Sequence, residues 1–193
     1  MVRKGAAAAV AALLAGGCAL ASMSRITEDP PTLLYSPTQF IAASSGRDFE
    51  VEIQGDPFPV SEAKFAQVVT RAMQAGYTGP ATHFTTTPDS SAEDGYRIVL
   101  VFNPASGFPN AQLCTGQKFP TRLPLSRGAP VVVQAAYCAP GLASYLTGYT
   151  GVATSLSAWL PAAQGLDDPA FTKLIADITL SLLPLRNPNP QPF

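Results

Sequence analysis

The sequence predicts an α+β fold, a mostly antiparallel sheet of about four to five strands with two helices packed on one face. Three observations predict it. Asp48–Gln54 alternates cleanly, with Phe49, Val51 and Ile53 on one side and Asp48, Glu50, Glu52 and Gln54 on the other, the pattern of a half-buried strand. Two segments, Ser61–Ala75 and 169–182, each carry a single apolar stripe at helical spacing. Between them Tyr96–Phe102 and Val131–Tyr137 are near-continuous apolar runs, which want burial on both faces and so read as central strands.

Each element has its own local logic. Gly55-Asp56-Pro57 ends the first strand. Ser61 is suited to cap the first helix, because its hydroxyl can accept from a first-turn amide, and Gly76 to stop it. The stripe between them is Phe65, Val68, Val69, Ala72 and Met73. Thr82–Thr87 is rich in β-branched residues and reads as a strand, followed by the turn-forming 88–95. Residues 103–130 hold five prolines and three glycines and show no period, so they read as one long loop. The 141–166 segment is ambiguous between a strand and a loose helix. Asp167-Asp168-Pro169 is a strong helix start, with an acidic cap before a proline, and Phe171, Leu174, Ile175, Ile178 and Leu182 form the second stripe until Pro184. No internal repeat is present.

Composition bounds the function. The 193 residues include 19 prolines and 15 glycines, which excludes a mostly helical bundle. With 47% apolar and only 13% charged residues, the chain is not globally disordered. A formal net charge of -1 lacks the clustered positive field of a nucleic-acid binder.

The amino terminus reads as an address. Met1-Val-Arg-Lys4 is basic, Gly5–Leu14 is apolar, and small residues lead to Cys18. The apolar run is well short of the about 20 residues a spanning helix needs. Leu13-Leu14-Ala15-Gly16-Gly17-Cys18 resembles the lipobox of bacterial lipoprotein precursors. That resemblance implies a diacylglycerol thioether on Cys18, cleavage just before it, and a mature protein held at a membrane face by its acyl chains. It further implies, through Ala19, the outer membrane facing the periplasm. The same residues also allow cleavage after Ala21 or Ser22 to give a free secreted protein, or an uncleaved anchor helix. The domain reading is therefore a signal peptide at 1–17, a lipid-anchored flexible linker at 18–46 that is extended by Pro30-Pro31, an α+β domain at 47–184, and a disordered Pro-rich tail at 185–193.

Two cysteines remain, Cys114 and Cys138. An exported chain meets an oxidising compartment, so this even remainder favours one disulfide closing a loop of 23 intervening residues. The sole histidine, His83, leaves too few ligands for a Cys/His zinc site, and no metal or other cofactor is expected.

Chemistry-bearing motifs are sparse. Ser61-Glu-Ala-Lys64 matches S-x-x-K, in which a lysine one turn along takes the serine proton, but S-D-N and K-T-G companions are missing and capping explains the serine. His83 could act as a base, yet no G-x-S-x-G elbow accompanies it. Asp48, Glu50, Glu52 and Asp56 read as a solvated strand face, since strand spacing sets neighbouring carboxylates roughly 7 Å apart. Tyr137, Tyr145, Tyr149 and Trp159 are candidate ligand-binding residues, because such rings offer apolar area with a polar handle. The function expected is a non-enzymatic interaction or scaffold module of the cell envelope, reaching an envelope protein partner by its sheet edge or the 103–166 region. The alternatives are a small-ligand or glycan-binding lipoprotein using the tyrosine-rich segment and, behind it, a cell-wall hydrolase with Ser61 or His83 catalytic.

Overall fold

The computed structural model describes residues 23–122, 128–141 and 150–186. Six strands form one sheet: β1 (Arg25–Glu28), β2 (Asp48–Gln54), β3 (His83–Thr85), β4 (Arg97–Phe102), β5 (Val131–Pro140) and β6 (Thr150–Leu160), in spatial order β1-β6-β5-β4-β2-β3. Three described α-helices accompany it, α1 (Pro37–Ser44), α2 (Glu62–Gly76) and α3 (Pro169–Leu182). The α+β class holds. The sheet is mixed rather than mostly antiparallel, and it has six strands rather than four to five. β1, β6, β5 and β4 pair antiparallel in succession, whereas β2 runs parallel to both β4 and β3. The physical reason lies in the order strand, helix, strand over residues 48–85: a helical crossover returns the chain to the same edge, so β3 must run alongside β2 in the same direction.

The described part of the segment expected to be a flexible linker, 23–46, joins the fold. Ser36 caps α1 through its hydroxyl, which accepts from the Gln39 N–H, and Pro37 occupies the first turn where a missing N–H costs nothing. Phe40 of α1 is buried against Phe49, Tyr77 and Tyr137 in edge-to-face contacts. β1 pairs with β6 from Arg25↔Trp159 to Glu28↔Leu156. The signal peptide expected at 1–17, Cys18 and the end of the expected tail, 187–193, lie outside the described residues.

The helices cover one face of the sheet. Ser61 and Asp168 cap α2 and α3, accepting from Lys64 N and Ala170 N, as their positions before each apolar stripe predict. Phe65 and Phe171 from the two helices meet Phe102 of β4 and Phe58 in one aromatic cluster. α2 and α3 also touch each other closely. The opposite face carries a smaller core of Val99, Val101, Ala136 and Cys138 beneath Leu113, Cys114 and Phe119. Those covering residues come from the long 103–130 loop, which contains a 3-10 helix at Asn110–Thr115. Within the ambiguous 141–166 segment, 142–149 lie outside the described residues and Thr150–Leu160 form β6, whose Leu156, Ala158 and Leu160 face the helices while Ser155, Ser157 and Trp159 face away.

Candidate functional site

Among the residues singled out in the sequence, Cys114 and Cys138 are disulfide-bonded with their Cα atoms 5.6 Å apart. The bond pins the 3-10 helix to β5 and holds the loop flat on the helix-free face. Tyr137 belongs to the core: it is 1% exposed and rings with Tyr35, Phe40 and Phe49, and burial raises its phenol pKa. Its side chain therefore serves packing, which removes it from the candidate ligand-binding set. Tyr145 and Tyr149 lie outside the described residues. Trp159 is 37% exposed on the opposite face from Tyr137, with the Arg25 guanidinium 5.7 Å from its ring.

Ser61 and His83 do not meet. Ser61 starts α2, while the Gln74 side chain near its far end accepts from the backbone of Phe84, next to His83. Roughly 20 Å of helix separates the two. His83 Nδ1 instead contacts Asp48 Oδ1 at 2.6 Å. The imidazole is exposed and the carboxylate mostly covered by its neighbours, and Asp48 Oδ2 also accepts from the Asp89 N–H. The hydrogen bond from His83, followed by that from Asp89, holds the Asp48 carboxyl below its ordinary pKa. The pair ties β2 to β3 and to the 89–91 turn, since the Asp48 N–H donates to Ser91 Oγ.

The carboxylates of β2 are less solvated than alternation alone implied. Glu52 takes an ion pair from Lys118 at 3.3 Å, lies 3.7 Å from Arg97 Nε, and accepts from Gln54 Nε2 at 2.8 Å. Gln54 is buried because the loop folds over it: its Oε1 accepts from Phe119 N and its Nε2 donates to Gln117 O. Sequence reasoning missed this network, because the loop residues that complete it are more than sixty positions away.

The feature with binding geometry is the outer edge of β2. Its register with β4 runs on to Gln54, but its register with β3 stops at Glu50. The His83 N–H donates to Arg47 O, so odd-numbered residues of this strand present their backbone groups toward β3. Past the end of β3, Ile53 therefore turns its N–H and C=O to an open side. A groove of about 790 Å³ runs there, between β2, the first turns of α2 and the return of the loop. Glu50, Glu52, Asp56 and Glu62 line it against Lys118 and Arg122, an acidic excess. Asp56 is pushed above its ordinary pKa by burial, although its carboxylate accepts from the Phe58 N–H at 2.8 Å. Among the described residues no helix is long and apolar enough to cross a membrane, and no group of three or more His, Cys, Asp or Glu is arranged to hold a metal ion.

No family model matches the chain, and no curated protein matches it. Among solved structures it is similar to a PelC dodecamer from Paraburkholderia phytofirmans in two crystal forms. A point variant in space group C2 gives 16% identity and a TM-score of 0.45, covering 85% of this chain and 100% of that one. The form in space group P6 gives 14% identity and a TM-score of 0.44 over the same shares. At these scores the likeness transfers neither fold nor function.

Proposed function

We propose that the protein is a non-enzymatic module of the bacterial cell envelope, lipid-anchored through Cys18 at the outer membrane and facing the periplasm. It binds another envelope protein by accepting an extended segment of that partner along β2. The single observation that carries this reading is the short β3, which leaves the Ile53 end of β2 with an open edge beside a preformed groove. Such an edge is a template for strand addition, with main-chain bonds giving affinity and the flanking groove giving selectivity. The acidic excess around it favours a partner segment bearing lysine or arginine. Two features support the compartment: the lipobox-like stretch ending at Cys18, and the disulfide between Cys114 and Cys138, a bond that persists in oxidising compartments.

Site-specific photo-crosslinking in intact cells tests the docking surface. A crosslinker at Glu62 is expected to trap one dominant envelope protein, and a crosslinker at exposed Leu180 on α3 is not. Ile53→Pro removes the outward N–H while leaving the β4 side of the strand bonded, and is expected to abolish the product. Identical products from both positions, or insensitivity to Ile53→Pro, would rule the edge out. Mass spectrometry of the native amino terminus tests the anchor separately. It is expected to find acyl chains on Cys18.

A further inference from the structure

A second site lies on the helix-free face, on the side of the stapled loop away from the β2 edge. There a trough of about 480 Å³ is lined by Asn103, Gly107, Arg122, Val132, Gln134 and Ser157. Two amide side chains on its floor have unmet hydrogen-bonding groups. Asn103 is 4% exposed and held by three bonds: its N–H donates to Val132 O, its C=O accepts from Arg122 N, and its Oδ1 accepts from Val132 N. Among the described residues its Nδ2 has no partner. Gln134 is 8% exposed and spends its Nε2 on Phe108 O and Asn110 Oδ1, each at 2.8 Å, while its Oε1 has no donor among the described residues. Buried amide atoms are nearly always satisfied, so a donor and an acceptor without partners, on two residues that line one cavity, mark a place where a guest supplying both would be held.

The geometry points to a saccharide-type ligand, a hydroxyl-rich ring seated across β5 and β6 in this trough. A hydroxyl both donates and accepts, so neighbouring hydroxyls of one ring can accept from Asn103 Nδ2 and donate to Gln134 Oε1. The two amides sit diagonally on adjacent strands, because Asn103 bonds to Val132 while Gln134 pairs with Val101. Ser157 stands directly opposite Gln134 and adds a third hydroxyl-sized partner. Val132 stands opposite Trp159, so the half-exposed indole flanks the same surface with Arg25 beside it. The polar groups are separate side chains on a sheet face. They do not form the continuous backbone row that would read an extended peptide. Both orphan atoms are shut from solvent beneath the rim, so ligand entry displaces its exposed residues Ser106 and Gly107, the latter with open space around it, while Pro104 and Ala105 stay bonded to the returning loop. This site is independent of the β2 edge and of the anchor.

Trp159 is the sole tryptophan and reports the site directly. The full chain in detergent is titrated with neutral hexose oligomers, N-acetylhexosamine oligomers and uronate oligomers. At least one saccharide is expected to change the Trp159 fluorescence saturably. Asn103→Gly keeps the backbone conformation and removes the amide, and is expected to weaken binding at least tenfold. Ser157→Ala is expected to weaken it several-fold with an unchanged melting temperature. Ile53→Pro is expected to leave it intact. A silent panel at millimolar saccharide overturns the proposal. So does binding that ignores both Asn103→Gly and Ser157→Ala, or a fluorescence response to a lysine-bearing strand peptide and to no saccharide.

Discussion

The Cβ position of Gly76, at the end of α2, points at Ala176 of α3: a methyl group there would sit 2.5 Å from the Ala176 Cβ and 2.6 Å from its Cα. The two helices thus approach each other through a glycine, and this close crossing sets the helical layer against the sheet. The sequence alone gives Gly76 the role of a helix stop. In the structure it is the last residue of α2, and contact with its neighbour limits it more than chain termination does.

Replacing it is expected to reverse the usual rule. Glycine to alanine within a helix normally stabilises by about 1 kcal/mol. Here Gly76→Ala overpacks the crossing and is expected to cost about 1–3 kcal/mol net. Urea denaturation measures the loss, and Ala176→Gly in the same chain is not expected to recover it, because the Ala176 Cα and carbonyl still crowd the new methyl.

The disulfide between Cys114 and Cys138 fastens the loop to β5. Its removal by paired Cys→Ala substitution is expected to cost about 3 kcal/mol, read from denaturant midpoints at fixed pH. Amide exchange should rise most at Leu113 and Phe119, the loop residues that cover the sheet, and least at Phe171 in the helical core.

The expectation that residues 18–46 form a tether has a direct physical opposite in Phe40. A tether residue replaced by alanine changes nothing. Phe40→Ala is expected to cost about 3–5 kcal/mol, because a fully buried ring contacting three other rings leaves a cavity behind. Thermal melting distinguishes the two outcomes.

Acid stability should depend on Asp48 and Asp56 with opposite signs. The Asp48 pKa is depressed by its hydrogen bonds to His83 and Asp89, so its contribution is present above the ordinary aspartate range and lost as pH falls through the lowered value. Asp48→Asn is expected to flatten the loss of stability on the acid side. The Asp56 pKa is raised by burial, so its contribution is present at low pH and lost as pH rises through the raised value. Asp56→Asn, whose side-chain oxygen can still accept from Phe58 N, is expected to be neutral or stabilising at pH 7. Melting temperatures from pH 2 to 8 check both.

The sequence by itself determined β2, α2, β4, β5, α3 and the pairing of Cys114 with Cys138. One-sided periodicity, capping and cysteine parity are local or countable properties. Weaker local signals lie in Ser36-Pro37, a cap and first turn, and in the alternation of Ser155, Ser157 and Trp159 with Leu156, Ala158 and Leu160. Only the tertiary structure decided that the four residues of β1 form a strand at all, since so short a segment needs β6 beside it. It decided that β2 lies between two parallel neighbours, that Tyr137 points into the helical core, and that Asn103 and Gln134 share one cavity. Period 2 tells which residues share a face of a strand. Which strand lies alongside, and what covers that face, is fixed by pairing between residues far apart in the chain.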